Sequence, residues 1–176
     1  EAGVLATIEN CIITGNSDGA IYFGDSSKTD VSNVLVYGND KSFIAKSGIA
    51  NLINSTFVGE PENSAMNSGA SLNFINTIFM DEITAEDTVE NISLWANYSL
   101  FQYGQDTFDA NLIKHYNWGL GMIEGDPLFL DTLDADYHLV KESPAVGVGI
   151  ASLDINNITY TVPTKDLDGN KRANPG

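Results

Sequence analysis

The sequence predicts an all-β fold, a parallel β-helix built from coils of about 22 residues. Three observations predict it. The first is a recurring Asn. In "ENCIITGN", "SNVLVYGN", "INSTFVGE", "INTIFMDE" and "ANYSLFQY", Asn10, Asn33, Asn54, Asn76 and Asn97 stand 23, 21, 22 and 21 residues apart. A fixed period of that size marks a solenoid, in which each repeat buries its apolar face against the next. The second is what flanks the Asn. Large apolar residues stand two positions before it (Ile8, Val31, Leu52, Phe74, Trp95) and apolar residues three after it (Ile13, Val36, Phe57, Phe79, Leu100). Mostly small residues follow it directly: Cys11, Val34, Ser55, Thr77 and Tyr98. Positions one and three after the Asn share a parity, so a strand points both to one face, the expected interior. The third is the absence of helical periodicity in the first 80 residues, which are rich in β-branched and aromatic residues.

Each element follows from this pattern. A coil holds two or three short strands, and stacking coils at ~4.8 Å pairs each strand with its copies above and below. "GNSDG", "GDSSKTD" and "GND" supply the turns between them. The Asn belongs at a bend, where it tolerates unusual backbone angles, bonds its own turn and bonds the Asn of the next coil. A satisfied buried amide contributes a net ~1 kcal/mol. The functional alternative for the same column is a polar binding strip. Gly15, Gly38 and Gly59, five residues after their Asn, read as turn geometry. A leucine-rich repeat has a similar period and its own Asn column, but it expects Leu at fixed offsets that Ile, Val, Phe and Thr fill here.

Residues 1–104 therefore read as coils and residues 105–176 as a long loop and C-terminal cap of the same domain. "FDANLIKHYNWGLGMIEGDPLF" reads as the loop, "DYHLV" and "NITYTV" alternate like strands, and the tail is polar and turn-rich. A cap is needed to cover the last apolar coil and its unpaired edge.

At 176 residues and 43% hydrophobic content, the chain fits one domain with a real core. Its 24 acidic residues against 8 basic ones give a net charge of −16, which argues against nucleic acid and against anionic membranes. A solvated surface accounts for that charge, and acidic loops holding Ca²⁺ are the sharper alternative. Cys11 stands alone, so no internal disulfide forms. No apolar run reaches membrane-spanning length. The chain opens almost directly on the first repeat without a Met, and is expected to be a monomeric piece of a longer protein.

Four ordered motifs carry a resemblance: "GDPLFLD" (125–131), "DYHL" (136–139), "SPAVGVG" (143–149) and "DLDGNKR" (166–172), preceded by "NTIFMDE" (76–82) and "NYSLFQYG" (97–104). Together they resemble the C-terminal region of secreted bacterial right-handed β-helix proteins of the pectate-lyase-like superfamily, the choice-of-anchor Q type. This chain departs from the pattern at Gly147, where the family motif has Asp. The resemblance implies a right-handed coil and a protein exported to the bacterial cell surface or beyond, often near polysaccharide metabolism. It also implies an anchoring segment beyond Gly176. It implies no activity, because a fold does not carry a function.

Candidates for chemistry are correspondingly sparse. A polysaccharide lyase needs cations and a basic side chain at the α-proton, yet the only Arg is Arg172 and the repeats offer only Lys28, Lys41 and Lys46. A hydrolase needs two carboxyl groups about 5–10 Å apart. Glu60 and Glu82 share an offset one coil apart with Asp81 beside them, making a candidate glycan or ion contact. Ordinary charged turn residues are the plainer reading. Tyr37, Phe101, Tyr116 and Trp118 are candidates for a sugar platform, with Tyr37 and Phe101 on the outward parity, and packing of a loop onto the solenoid is the plainer reading. His115 and His138 have no recognisable nucleophile beside them, and "DLDGN" reads as a turn rather than a calcium loop. The function expected is a non-catalytic, structural, adhesive or glycan-contacting stretch, with no catalytic residue assigned and polysaccharide as the partner. The alternative is the C-terminal part of a lyase or glycoside hydrolase whose catalytic coils lie upstream.

Overall fold

The computed structural model describes residues 5–85, 91–107 and 115–172. Within them the chain is a right-handed parallel β-solenoid. The first coil carries β1 (Leu5–Ile13) and β2 (Ile21–Phe23), and the second β3 (Ser27–Val36) and β4 (Phe43–Ala45). The third holds β5 (Gly48–Ile53), β6 (Thr56–Phe57) and β7 (Ser64–Met66). The fourth repeats it with β8 (Ala70–Ile75), β9 (Ile78–Phe79) and β10 (Ile83–Ala85), and the fifth has β11 (Ser93–Asn97) and β12 (Leu100–Phe101). One long face stacks β1, β3, β5, β8 and β11 in parallel. Beyond the Asn bend, β6, β9 and β12 stack on the second half of β3, while β2, β4, β7 and β10 form a separate face.

The stack continues past residue 104. β13 (His115–Trp118) lies parallel to β11, and β14 (Ile123–Glu124) lies parallel to β12. Of the stretch expected as a long loop, 108–114 lies outside the described residues, and 115–124 contributes the strands of another coil. It escaped the Asn pattern because its bend uses Gly121, at φ 64°, where the earlier coils use Asn.

The interior is built from stacked columns. Val31, Leu52, Phe74 and Ala96 form one, and Val36, Phe57, Phe79 and Phe101 another, all buried. Phe79 sits 6.0 Å from Phe57, 5.2 Å from Phe74 and 5.4 Å from Phe101, tilted or edge-on as ring quadrupoles prefer. Each such fully buried side chain contributes about 1.5–3 kcal/mol. The small-residue column has its own task. At the bend the strand ladder is interrupted, so the Val34 N–H donates to Ser55 Oγ (3.2 Å) and the Thr77 N–H to Ser99 Oγ (3.0 Å). A buried N–H without a partner is costly, and the hydroxyls supply that partner.

The C-terminal segment adds two antiparallel pairs, β15 (Phe129–Asp131) with β16 (Asp136–Leu139), and β17 (Ser152–Ile155) with β18 (Ile158–Thr161). Asn156 and Asn157, at φ 51° and 63°, form the two-residue loop of the second hairpin, the arrangement whose twist matches its strands. Its contacts with the coils run back along the stack. Tyr137 packs on Tyr37 of the second coil, with ring centroids 5.0 Å apart. Ile150 bonds Asn76 of the fourth coil, and Arg172 bonds Asn33 of the second. The segment is a strap along the side of the stack. The coils need one: Ile53 and Ile75 alternate with inward residues and so face outward, yet they are 6% and 0% exposed.

Candidate functional site

The bends organise what surrounds them. Asn10, Asn33, Asn54 and Asn76 have φ of 53°, 56°, 47° and 50°, the left-handed region that Asn tolerates better than most residues. In the fifth coil the residue in that conformation is Tyr98, at φ 49°, and not Asn97. Pairing of Ile75 with Asn97 and of Phe79 with Phe101 sets this register. Three sequence assignments shift with it. Ala96, not Trp95, fills the inward column, Ser99 takes the small position, and Phe101 is buried in the core instead of facing outward. The interior decided the register: a one-residue slip would have turned Phe101 out and Trp95 in. Asn97 keeps a turn role, its Oδ1 accepting from the Leu120 N–H at 3.2 Å.

The Asn side chains bond in pairs across coils, and the strap bonds Asn33 and Asn76. Asn33 Nδ2 donates to Asn10 Oδ1 at 2.8 Å, and Asn76 Nδ2 to Asn54 Oδ1 at 3.1 Å. Asn33 Oδ1 accepts from Arg172 Nη2 at 2.6 Å. Asn76 Oδ1 accepts from the Ile150 N–H (2.9 Å), while its Nδ2 also donates to the Ile150 carbonyl (2.7 Å). The bends are therefore anchor points for the strap.

A second, largely polar column lies on the outer face, three residues before the bend in coils one to five and four before Gly121 in the next. Thr7, Asp30, Asn51, Asn73, Trp95 and Asn117 follow one another in register. Asn73 Nδ2 donates to Asn51 Oδ1 at 2.7 Å, and Asn51 Nδ2 to Asp30 Oδ1. Asn51 is 0% exposed although it points outward. Tyr160 of β18 approaches Asp30, and burial and then that charge raise the Tyr160 phenol above its usual range. Past Asn73 the column becomes accessible: Trp95 is half-buried and Asn117 exposed. Reading the sequence by Asn alone missed this column. Its signal, a polar residue at a constant offset from the bend, was present in coils two to four.

The acidic candidates are held by separate partners. Glu60 spends both oxygens on Asn39, accepting from its N–H at 2.8 Å and from its Nδ2 at 3.1 Å. Asn39 passes the pattern on, its Oδ1 accepting from the N–H and Nδ2 of Asn16. Burial raises the Glu60 carboxyl, with the Asn39 hydrogen bonds opposing that rise. Asp81 is buried, accepting from Ser64 Oγ at 2.6 Å and from the Glu82 N–H at 2.8 Å. Desolvation outweighs these donors and pushes it up to about 6. Glu82 turns away and accepts from Asn63 Nδ2 at 3.2 Å. Among the described residues no three acidic, His or Cys side chains gather into a group that would hold a metal ion.

The remaining candidates fall in different places. Trp118 continues the inward column after Ala96 and meets Phe101 edge-on at 5.5 Å, so it packs the last coil. Tyr116, two residues earlier on the same strand, is 42% exposed. His115 lies on β13 rather than in a loop. Lys41 pairs with Glu62 of the next coil, and the Lys46 ammonium sits 5.9 Å from the Tyr22 ring. Lys41 and Lys46 are thus engaged with different neighbours. Among the described residues, no helix is long and apolar enough to cross a membrane. Comparison of the chain with protein-family models, with curated proteins and with solved structures finds no match.

Proposed function

We propose that this chain is a non-catalytic scaffold stretch of an exported bacterial cell-surface protein of the pectate-lyase-like kind, contacting glycans along its long outer face. The observation that carries the non-catalytic reading is the use made of the two acids with raised pKa. Each accepts hydrogen bonds on both oxygens from neighbouring residues, which leaves it a strut and not a proton carrier poised over a substrate. Glycan contact is supported by the open end of the outer column, where half-buried Trp95 stands beside exposed Asn117 and His115 lies two residues from Asn117 on β13. An aromatic face stacks on the C–H side of a sugar ring while amides bond its hydroxyls. This shelf replaces the Trp118 platform, since Trp118 is engaged with Phe101.

A polysaccharide screen with and without Ca²⁺ tests the proposal, read by binding and by product release. Binding that Trp95→Ala abolishes without lowering the melting temperature is the expected result. Depolymerised product from purified protein would overturn the non-catalytic reading. Binding that survives Trp95→Ala and Asn117→Ala would remove the outer face from the proposal.

A further inference from the structure

The strap ends in a feature that the scaffold reading does not use. We propose that His138 is a proton-operated latch fastening the turn at 166–169 to the β15–β16 hairpin, and with it the last segment of the strap. The ring stands between two carboxylates: Nδ1 is 2.5 Å from Asp136 Oδ1, and Nε2 is 2.7 Å from Asp168 Oδ2. An ionised carboxylate only accepts hydrogen bonds. A neutral imidazole has a single N–H, so it would satisfy one carboxylate and turn a lone pair towards the other. The imidazolium donates to both. The arrangement is that of a protonated ring. Asp136 shares its strand, while Asp168 arrives from thirty residues further along the chain, so the ring joins two separate segments.

The charges around this junction agree with that state. Across the hairpin Asp131 stands in register with Asp136, its Oδ1 accepting from the Leu133 and Asp134 N–H groups. On the turn side Asp166 Oδ1 accepts from the Asn170 N–H, and Lys165 and Lys171 pair through their backbones at the base. The hydrogen bond to Asp168, then that to Asp136, holds the His138 pKa above its ordinary 6.5. A raised folded-state pKa fixes the sign. The latch contributes fully below the unfolded value and is lost as pH rises through the folded one.

What the latch holds is the environment of Arg172. The turn is closed by Asp166 N–H to the Asn170 carbonyl (2.9 Å) and Arg172 N–H to the Thr164 carbonyl (2.9 Å). From that position Arg172 reaches Asn33 Oδ1 in the second coil. Opening the latch therefore loosens the strap's last anchor and uncovers the bend beneath it.

NMR on the whole chain tests this, following the His138 ring and the exchange protection of the Gly169 and Arg172 amides between about pH 5 and pH 9. After correction for intrinsic exchange, wild-type tail protection should fall as pH rises through the His138 midpoint. Asp168→Asn should lower that midpoint, and His138→Gln should make tail protection independent of pH. Amides of β5 and β8 in the same spectra report whether each variant keeps its fold. A His138 midpoint at or below about 6.5 would overturn the proposal, as would wild-type tail protection indifferent to the titration.

Discussion

Consider the stability of the stack as pH falls from neutral. Asp81 carries the largest resolved effect, because its carboxyl moves from 3.8 in water to about 6 in the buried turn between β9 and β10. The sign follows from proton counting. Between the two values the folded state binds more protons than the unfolded one, so stability falls as pH rises through that window. A displacement of about 2 units corresponds to about 3 kcal/mol when the whole window is crossed. Between about pH 7 and pH 4.5 roughly 2 kcal/mol of it should appear. Asp81→Asn removes the titrating charge but keeps an acceptor for Ser64 or for the Glu82 N–H. Urea denaturation of both proteins at the two pH values is the assay. The change in the −16 net charge is nearly common to both and largely cancels in the comparison. Wild type should gain about 2 kcal/mol on the variant at the lower pH. Equal pH dependence in the two proteins would refute the claim that desolvation of this carboxyl outweighs its hydrogen bonds.

Two further outcomes follow from the bends and turns. Gly48 has φ 102°, and a Cβ there would lie 2.4 Å from the Ser27 carbonyl oxygen and 2.9 Å from its nitrogen, both backbone. Gly48→Ala should therefore cost about 3 kcal/mol or more, read as a lower denaturation midpoint at unchanged slope. Asn76→Gly keeps the left-handed bend but deletes the hydrogen bonds to Asn54 and Ile150. It should leave the coils folded and expose the strap near Ile150 to limited proteolysis, at a cost of about 1–3 kcal/mol. Unchanged cleavage would show that Asn76 does not anchor the strap.

How much of this was legible can be seen in coil five. The period, the parallel stacking and the inward Val36, Phe57 and Phe79 followed from repeat spacing and parity, because every coil solves the same packing problem with the same residue types. The Asn bends were legible for the same reason, up to Tyr98. There the sequence offered Asn97 as the natural choice, and the register went instead to the arrangement that buries Phe101 and Ala96. The coil at 115–124 was invisible to the pattern, since Gly121 replaces the Asn and Trp118 stands in the inward column in place of a smaller residue.

The candidate site divides in the same way. Glu60 and Glu82 share an offset, so the sequence placed them together, but Asn39 holds one and Asn63 the other. Side-chain direction at a turn depends on which donor lies within reach, and spacing does not record that. His138 looked unremarkable within "DYHL" because Asp168 lies thirty residues away. What the sequence determined by itself was the solenoid: local periodicity dictates which residues face inward, and identical neighbours above and below complete each strand. What only the tertiary structure decided was the path of the strap and the pairings it makes with Asn33, Asn76 and Tyr37. Those contacts join segments that share no repeat, so no periodic signal encodes them.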